Sequence, residues 1–238
     1  MLLWSKAKTK KIAIVIPAHN EELSLPKVLN KLAFYLPEDF EKQVFVVDDG
    51  SKDNTSAVAE ENGANVVRHP ISLGVGGALK TGYFLAKDWG PDIIVQMDAD
   101  GEHDPAELPK FLDIILNEEV DMVIGSRFIN GLPQLSFTRR VGISFFTWIV
   151  NKLAGYRLTD ITNGYRVFKA EHLDKIIFPS EKHWAIEMTL LAGKHKLKIK
   201  EVAINATNRK FGKSQFSNLI TFFLYPINAI KQIIDVYI

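Results

Sequence analysis

The chain has 238 residues, 47% of them hydrophobic and 24% charged, which fits one globular domain or one domain with a small appendage. Lysine and arginine total 29 against 28 aspartates and glutamates, so the formal net charge of +1 gives no general attraction to nucleic acid, and no such partner is expected. The absence of cysteine excludes disulfides and thiolate metal sites.

Short apolar runs alternate with segments of helical periodicity along the first half of the chain. Five runs have the character of strands: "IAIVI" (12–16), "QVFVVDD" (43–49), "ANVVRH" (64–69), "DIIVQMD" (92–98) and "DMVIGS" (121–126). Continuous apolar strands are buried on both faces, so we predict a mainly parallel sheet with helices on each side. Beyond Arg127 the alternation breaks, and the second half is interpreted as an elaboration of the sheet.

Acidic side chains follow the second and fourth predicted strands. Asp48 ends the second strand, and Asp98, Asp100 and Glu102 follow the fourth. Ligands of parallel sheets bind at the carboxyl ends of the strands. Asp98 and Asp100 alternate in an extended segment, so their carboxylates point to one side and repel each other unless a cation lies between them. Oxygen ligands of this kind favour Mg²⁺ or Mn²⁺, which also bind substrate phosphates.

Two neighbours of these acids have simpler interpretations. Asp104 directly precedes a proline, the position of a residue that caps the N-terminus of the next helix. Capping is also the alternative role for Asp98. His103 is interpreted as a solvated loop residue, because a hard cation prefers oxygen ligands to imidazole.

Five motifs occur in a fixed order: "IVIPAHNEE" (14–22), "VVDDGSKDNT" (46–55), "GVGGALKTG" (74–82), "MDADGEHDP" (97–105) and "GSRF" (125–128). Together they resemble the nucleotide-sugar glycosyltransferases of the dolichyl-phosphate mannose and glucose synthase group, over about residues 11–215. The resemblance implies a GT-A fold, in which a Rossmann-like, mainly parallel sheet is flanked by helices. It also implies that Asp-Ala-Asp is the DXD motif, which binds a metal ion.

The resemblance assigns roles to individual residues. The nucleotide would be bound by Pro17, Ala18, Asn20, Glu21, Asp48, Gly77, Asp98 and Ala99. The divalent metal, Mg²⁺ or Mn²⁺, would be held by Asp98 and Asp100, with Glu102 as a further ligand. The catalytic residues would be Asp100, Arg127 and Arg209. The acceptor phosphate would be bound by Arg139, Arg140, Lys213 and Ser214.

The motif "GVGGALKTG" also allows a test of a rival class, the phosphate-loop NTPases. A phosphate loop needs a second glycine where this chain has Leu79, and the dinucleotide-binding pattern fails at the same residue. The motif therefore argues against an NTPase or a dehydrogenase. Its glycines are interpreted as allowing close packing near the nucleotide.

Basic and apolar residues combine in the segment "SFTRRVGISFFTWIVNKL" (136–153). Two arginines ahead of an apolar stripe are typical of a segment that lies in a membrane interface with its cations at phosphate depth. The alternative is a buried helix with solvated arginines. The resemblance places an acceptor loop for a polyprenyl phosphate at about 131–155, and "RKFGKSQF" (209–216) is similar to a phosphate-binding motif. Arg166 has either a functional role or a structural pairing with Asp160.

The C-terminal segment "FSNLITFFLYPINAIKQIIDVYI" (216–238) is apolar but contains Lys231 and Asp235, which disfavour a spanning helix. Its isoleucines recur at helical spacing, so we predict an amphipathic membrane-interface segment after a catalytic domain of residues 1–215. The alternative is that this stripe packs on the chain's own sheet or on a second subunit. The prediction is a peripheral protein of the cytoplasmic membrane face, with a homo-oligomer or a small membrane-anchoring subunit as further partners.

A phosphate acceptor explains why the motifs supply cations rather than a general base. A phosphomonoester is ionised near neutral pH and attacks without a base, whereas a sugar hydroxyl needs one. The predicted function is therefore metal-dependent, inverting transfer of a hexose, mannose from GDP-mannose, to a dolichyl or polyprenyl phosphate. Three alternatives stay open: UDP-glucose or another UDP-sugar as donor, a saccharide hydroxyl as acceptor, and a non-catalytic subunit that binds nucleotide sugars.

Overall fold

The computed structural model describes residues 10–131, 136–180 and 183–205. The strands are β1 (Lys11–Ala18), β2 (Glu41–Asp48), β3 (Asn65–Arg68), β4 (Ile93–Gln96), β5 (Met122–Ser126), β6 (Arg166–Lys169) and β7 (Ile199–Ala203). The helices are α1 (Leu25–Tyr35), α2 (Thr55–Glu61), α3 (Val75–Trp89), α4 (Leu108–Asn117), α5 (Phe137–Ala154), α6 (Leu173–Ile176) and α7 (Trp184–Lys194). Two short 3₁₀ segments, Pro105–Glu107 and Ala170–His172, lead into α4 and α6.

All seven strands form one sheet in the order β3-β2-β1-β4-β6-β5-β7. Every neighbouring pair is parallel except the two that involve β6, which runs antiparallel between β4 and β5. The prediction of five strands in a mainly parallel sheet is confirmed. The second half of the chain does elaborate that sheet, since it supplies β6 inside the sheet and β7 at its edge.

The sheet is covered on both faces because the middle of its central strands is apolar at successive positions. In β1, Ala13 and Val15 belong to one buried cluster, together with side chains of α3, α5, α6 and α7. Ile12, Ile14 and Ile16 belong to the other, together with side chains of α1, α2 and α4. Alternation of side chains across a strand therefore gives each face of β1 its own layer of helices.

The loops that carry the predicted site lie along one edge of the sheet, the one formed by the carboxyl ends of the parallel strands. The parallel strands all end at this edge, and the antiparallel β6 begins there, since Gln96 at the end of β4 pairs with Arg166 at the start of β6. The loops after β1, β2, β4 and β5 therefore meet the loop that precedes β6. Ligands of open α/β sheets bind at this edge.

Candidate active site

The first two loops of this edge are tied together by polar side chains. Asn20, in a left-handed conformation with φ of 57°, accepts a hydrogen bond from the backbone N–H of Lys52 at 2.8 Å. The backbone N–H of Glu21 donates to Thr55 Oγ1 at 2.8 Å, and the buried Glu21 carboxylate accepts from Ser24 Oγ at 2.5 Å. Both predicted nucleotide-binding residues therefore join the β1 loop to the β2 loop.

The remaining predicted nucleotide residues of these strands are buried. Pro17 and Ala18 end β1 without exposed side chains. The Asp48 carboxylate is fully buried, where Oδ1 accepts from the backbone N–H of Ser51 at 2.8 Å and Oδ2 accepts from the Ser56 hydroxyl. These contacts shape the turn after β2. A role for Asp48 on the base or ribose stays a prediction.

Asp49 organises the loop that leads into α3, a role that the sequence motif did not reveal. Its carboxylate accepts hydrogen bonds from the backbone N–H groups of Leu73 and Gly74, both at 2.8 Å, and from Ser72 Oγ at 2.6 Å. His69 Nδ1 lies 2.8 Å from Asp49 Oδ1. Burial favours the neutral acid, but these hydrogen bonds outweigh it and lower the pKa of Asp49 below its usual range.

Gly77, in the first turn of α3, is closely packed, whereas a Cβ on Gly74 would meet nothing within 4 Å. A Cβ on Gly77 would lie 2.6 Å from Leu73 Cβ, far inside van der Waals contact. Leu79, which breaks the phosphate-loop pattern, is fully buried in the core. The part of the prediction that places Gly77 at the nucleotide stays a prediction.

The DXD segment shows the alternation that its sequence predicts. Asp98 and Asp100 are half-buried, whereas Ala99 between them is buried. Asp100 Oδ1 accepts from the backbone N–H of Glu102 at 2.9 Å. Burial raises the pKa of Glu102, and the negative charges of Asp100 and Asp98 raise it further, while Arg139 and His103 act in the opposite direction. The three acids therefore share one region of negative potential.

A divalent cation fits this region, but three carboxylates do not converge on one point. Within the described ranges, no three His, Asp or Glu side chains form a group that could hold a metal ion. The role of Glu102 as a further metal ligand beside Asp98 and Asp100 stays a prediction; the backbone N–H of Glu102 donates to Asp100 Oδ1. Two half-buried carboxylates that repel each other fit Mg²⁺ or Mn²⁺, which take their other oxygens from water and phosphate.

Asp104 and His103 follow the DXD acids; Asp104 has its predicted role and His103 does not. Asp104 accepts from the backbone N–H of Ala106 at 2.9 Å and caps the 3₁₀ segment, as predicted. His103 was predicted to be solvated, which is wrong, because only 5% of it is exposed. Its Nδ1 accepts from the backbone N–H of Asp98 at 2.9 Å. The sequence offered no signal for this contact, since His103 sits among polar residues.

Arg127, predicted to be catalytic, forms a buried ion pair. Its Nε lies 2.6 Å from Asp160 Oδ2 and its Nη2 lies 2.9 Å from Asp160 Oδ1, with 10% and 0% of the two side chains exposed. Burial disfavours the charged guanidinium, but Asp160 raises the pKa of Arg127 above its usual value, helped by Glu102 and Asp98. The positive charge thus lies within electrostatic range of the DXD acids.

Arg166 has a structural role, but its partner differs from the predicted one. Asp160 pairs with Arg127, so Arg166 donates instead to the carbonyl oxygens of Ile161 at 2.6 Å and Ala185 at 3.1 Å. Its guanidinium also lies 5.2 Å from the centre of the Trp184 ring. Complete burial lowers the pKa of Arg166 to about 10.

The predicted acceptor arginines lie in the first turn of α5. The segment called an acceptor loop is therefore a helix over Phe137–Ala154, because Ser136 caps it and Gly155 ends it. Arg139 is exposed, and its positive charge lowers the pKa of Glu102 against the larger effect of burial. Arg140 has a buried Nε that no hydrogen-bond acceptor of the described residues satisfies.

Arg209, Lys213, Ser214 and the segment 216–238 lie outside the described residues, so their roles stay predictions. The strand that leads toward them is placed at the site. β7 is parallel to β5 and ends at Ala203, at the same sheet edge as the DXD segment. Asn205 Nδ2 then donates to Glu107 Oε1 at 2.9 Å and anchors the chain beside the DXD loop.

Comparison with known proteins agrees with this geometry. The profile of "Glycosyl transferase family 2" matches residues 13–177. The undecaprenyl-phosphate mannosyltransferase of Micrococcus luteus is 34% identical over an alignment that covers 87% of this chain and 88% of that protein. The UDP-N-acetylglucosamine–dolichyl-phosphate N-acetylglucosaminyltransferase of Methanococcus voltae is 31% identical over an alignment that covers 90% of this chain and 92% of that protein.

Among solved structures, glucosyl-3-phosphoglycerate synthase from Mycobacterium tuberculosis, in complex with Mn²⁺, UDP and glucosyl-3-phosphoglycerate, is similar with a TM-score of 0.71 at 20% identity. The similarity covers 95% of this chain and 80% of that one, and it confirms the fold. This chain therefore belongs to glycosyl transferase family 2 and is a glycosyltransferase with the GT-A fold.

Proposed function

We propose that this glycosyltransferase moves a hexose from a nucleotide sugar to a polyprenyl phosphate at a membrane surface. The observation that carries the proposal is the position of the exposed Arg139 in the first turn of α5, a helix with an apolar exposed face, where its positive charge favours the ionised form of Glu102, next to the DXD acids. An anion bound by this arginine lies between a donor diphosphate at the acids and a lipid surface beside the helix. The names of the two relatives support a polyprenyl or dolichyl phosphate as that anion.

Asp98 and Asp100 would hold a divalent cation, Mg²⁺ or Mn²⁺, whose charge would stabilise the departing diphosphate. Arg139 and Arg140 would bind and orient the acceptor phosphate by charge-assisted hydrogen bonds. An oxygen of that phosphate attacks the anomeric carbon, the bond from this carbon to the nucleotide's diphosphate oxygen breaks, and the nucleoside diphosphate leaves with the electron pair. A single displacement of this kind inverts the anomeric centre, and the ionised acceptor needs no general base.

The names of the relatives indicate the acceptor more clearly than the donor sugar. The two relatives are named for mannose and for N-acetylglucosamine, whereas both names contain a polyprenyl-type phosphate. We propose mannose from GDP-mannose as the first donor to test, with UDP-glucose as the alternative. Purified protein should be incubated with radiolabelled nucleotide sugars and a short polyprenyl phosphate. Label in the lipid phase supports the proposal, and label found only on added saccharides overturns it.

The exposed face of α5 supports a membrane location. Phe137, Val141, Phe145 and Trp148 follow at helical spacing and are 72%, 51%, 48% and 59% exposed. The opposite face is buried at Ile143, Phe146 and Val150, and the last two belong to the buried cluster that includes Val15 of β1. Within the described part of the chain, no helix combines the length and apolar character needed to cross a bilayer. We propose that α5 rests in the interface, together with the segment 216–238.

Replacing Phe145 and Trp148 together with serine should weaken liposome binding by about ten-fold or more, because burying each ring contributes about 1.5–3 kcal/mol. Flotation with vesicles that contain anionic lipid measures this. The matched control replaces Phe34 and Phe84, which are 81% and 58% exposed on other helices. Equal flotation of both double variants would contradict the interfacial role of α5.

Replacing Arg139 and Arg140 together with alanine should raise the KM for polyprenyl phosphate by about ten-fold or more, because each hydrogen bond to a charged phosphate contributes about 1.5–3 kcal/mol. The KM for the sugar nucleotide should change far less. Initial rates at varied concentrations of each substrate separate the two effects. The control, Lys152→Ala with Arg157→Ala, removes two exposed charges near the other end of α5. A change confined to the KM for the sugar nucleotide would indicate that both arginines bind the donor and not the acceptor.

A further inference from the structure

The first acid of the DXD motif is held by a histidine that the proposed reaction does not itself use. The backbone N–H of Asp98 donates to His103 Nδ1 at 2.9 Å, and Asp98 Oδ2 lies 3.6 Å from the same nitrogen. Because Nδ1 accepts this hydrogen bond, the neutral ring carries its proton on Nε2. His103 therefore fixes the backbone at the point where the Asp98 side chain leaves the chain.

The imidazole is itself immobilised by a column of rings. His103 stacks on Tyr165, with 5.2 Å between ring centroids and 29° between planes. Tyr165 stacks in turn on Phe111 of α4, at 4.3 Å and 25°. Tyr165 and Phe111 are fully buried, and stacked rings of this kind resist rotation in a packed core. The position of the Nδ1 acceptor is thereby set by the core beneath the sheet edge.

A glycine closes the other side of the Asp98 carboxylate. A Cβ on Gly164 would lie 3.2 Å from Asp98 Oδ2 and 3.0 Å from His103 Cε1, closer than the ordinary packing distance of such atoms. The backbone cannot readily move away, because Gly164 O accepts from Gln96 Nε2 at 2.9 Å. The buried Gln96 is held by the hydroxyl of Tyr83. A Cβ at 164 would therefore require the carboxylate or the ring to move by a few tenths of an ångström.

We propose that His103 and Gly164 are positioning residues that hold the Asp98 carboxylate in the orientation that binds a divalent cation. The inference rests on the proposed function, in which Asp98 is a ligand of the metal ion that binds the donor diphosphate. Residues that orient a metal ligand set metal affinity by roughly 10–100-fold. His103 and Gly164 act through Asp98, so they should change metal affinity without contributing a ligand.

Mn²⁺ binding to the purified full-length protein, measured by electron paramagnetic resonance of the free ion, tests His103 directly. His103→Phe keeps a ring on Tyr165 but removes the acceptor for the N–H of Asp98, and it should weaken Mn²⁺ binding by about ten-fold. His103→Asn loses the stacked ring but offers an amide oxygen to the same N–H. Its affinity should stay within about three-fold of wild type. A purely structural role for the ring would not make His103→Phe bind Mn²⁺ more weakly than His103→Asn.

Gly164→Ala is the second test, and it should weaken Mn²⁺ binding by about ten-fold because its Cβ displaces the carboxylate. The matched control is Gly142→Ala in α5, where an added Cβ meets nothing within 4 Å, and its affinity should equal that of wild type. Thermal unfolding of each variant accompanies the binding measurement. If His103→Phe does not fold, Gly164→Ala and His103→Asn still decide the question.

Asp98→Asn separates the failure of this inference from the failure of the proposed function. If wild type and Asp98→Asn bind Mn²⁺ equally, the metal role of Asp98 is wrong and the inference falls with it. If Asp98→Asn loses Mn²⁺ binding while His103→Phe and Gly164→Ala bind like wild type, the metal role stands and the positioning role is overturned. Weakened binding in all three variants supports both.

Discussion

Asp98→Asn and Asp100→Asn should each lower the rate of sugar transfer by a factor of about 10³ or more, while leaving the protein folded. A metal ion supplies several kcal/mol of charge stabilisation to a departing diphosphate, and each 1.4 kcal/mol corresponds to a ten-fold change in rate. Neither carboxylate is fully buried, so the amide is not expected to unfold the chain. Initial rates of transfer, together with thermal unfolding curves, measure the two effects separately.

The control for this experiment lies a few residues further along. Asp104→Asn makes the same chemical change in an acid that caps a 3₁₀ segment and pairs with Lys31. Asparagine caps as well as aspartate, so transfer should persist. Chelation of divalent metal should stop the wild-type reaction, and added Mn²⁺ or Mg²⁺ should restore it. Near-wild-type transfer in Asp98→Asn, Asp100→Asn and the chelated enzyme would contradict the metal hypothesis.

The parts of the fold that the sequence predicts correctly are those encoded by local patterns. The first five strands were predicted from apolar runs; β1, β4 and β5 are buried on both faces because helices cover both sides of the sheet, whereas the edge strand β3 is exposed or half-buried at every residue. The alternation of Asp98, Ala99 and Asp100 likewise follows from the two-residue period of extended chain. Such signals need no knowledge of distant neighbours.

Strand β6 shows where local patterns stop. It has four residues, and its first, Arg166, is a fully buried arginine whose charge is accommodated by backbone carbonyls of other segments. Neither its antiparallel direction nor its insertion between β4 and β5 follows from so short a run. The sheet order in this region is set by tertiary packing, which the residues 166–169 alone do not encode.

The sequence indicates which residue types lie at the carboxyl ends of the strands, but not which contacts they make. The motifs identified the DXD acids, but the partners of Asp49, His103 and Arg127 are set by packing between loops. Asp160 lies 33 residues from Arg127 in the sequence, and the choice between Arg127 and Arg166 as its partner depends on which arginine the sheet places beside it. Hydrogen-bond pairing over such separations has no local sequence signal.

Breaking the ion pair between Arg127 and Asp160 should lower the free energy of unfolding by about 3–5 kcal/mol, because either single change leaves an uncompensated buried charge. Arg127→Met strands the carboxylate, and Asp160→Asn strands the guanidinium. The double variant removes both charges, while the asparagine Oδ1 can still accept from the backbone N–H of residue 127 and its amide group can donate to Thr162 Oγ1, so most of the stability should return. Denaturant unfolding of the three variants measures this cycle.

The same double variant decides whether Arg127 is catalytic. Its guanidinium is within electrostatic range of Asp98 and Glu102, so we expect the refolded double variant to transfer sugar at least about ten-fold more slowly than wild type. A wild-type rate with restored stability would make Arg127 a structural residue only. The control pair, Lys87→Met with Asp174→Asn, removes an exposed ion pair whose side chains are 52% and 70% exposed. Such surface pairs contribute about 0–1 kcal/mol, so the control should change neither stability nor rate appreciably.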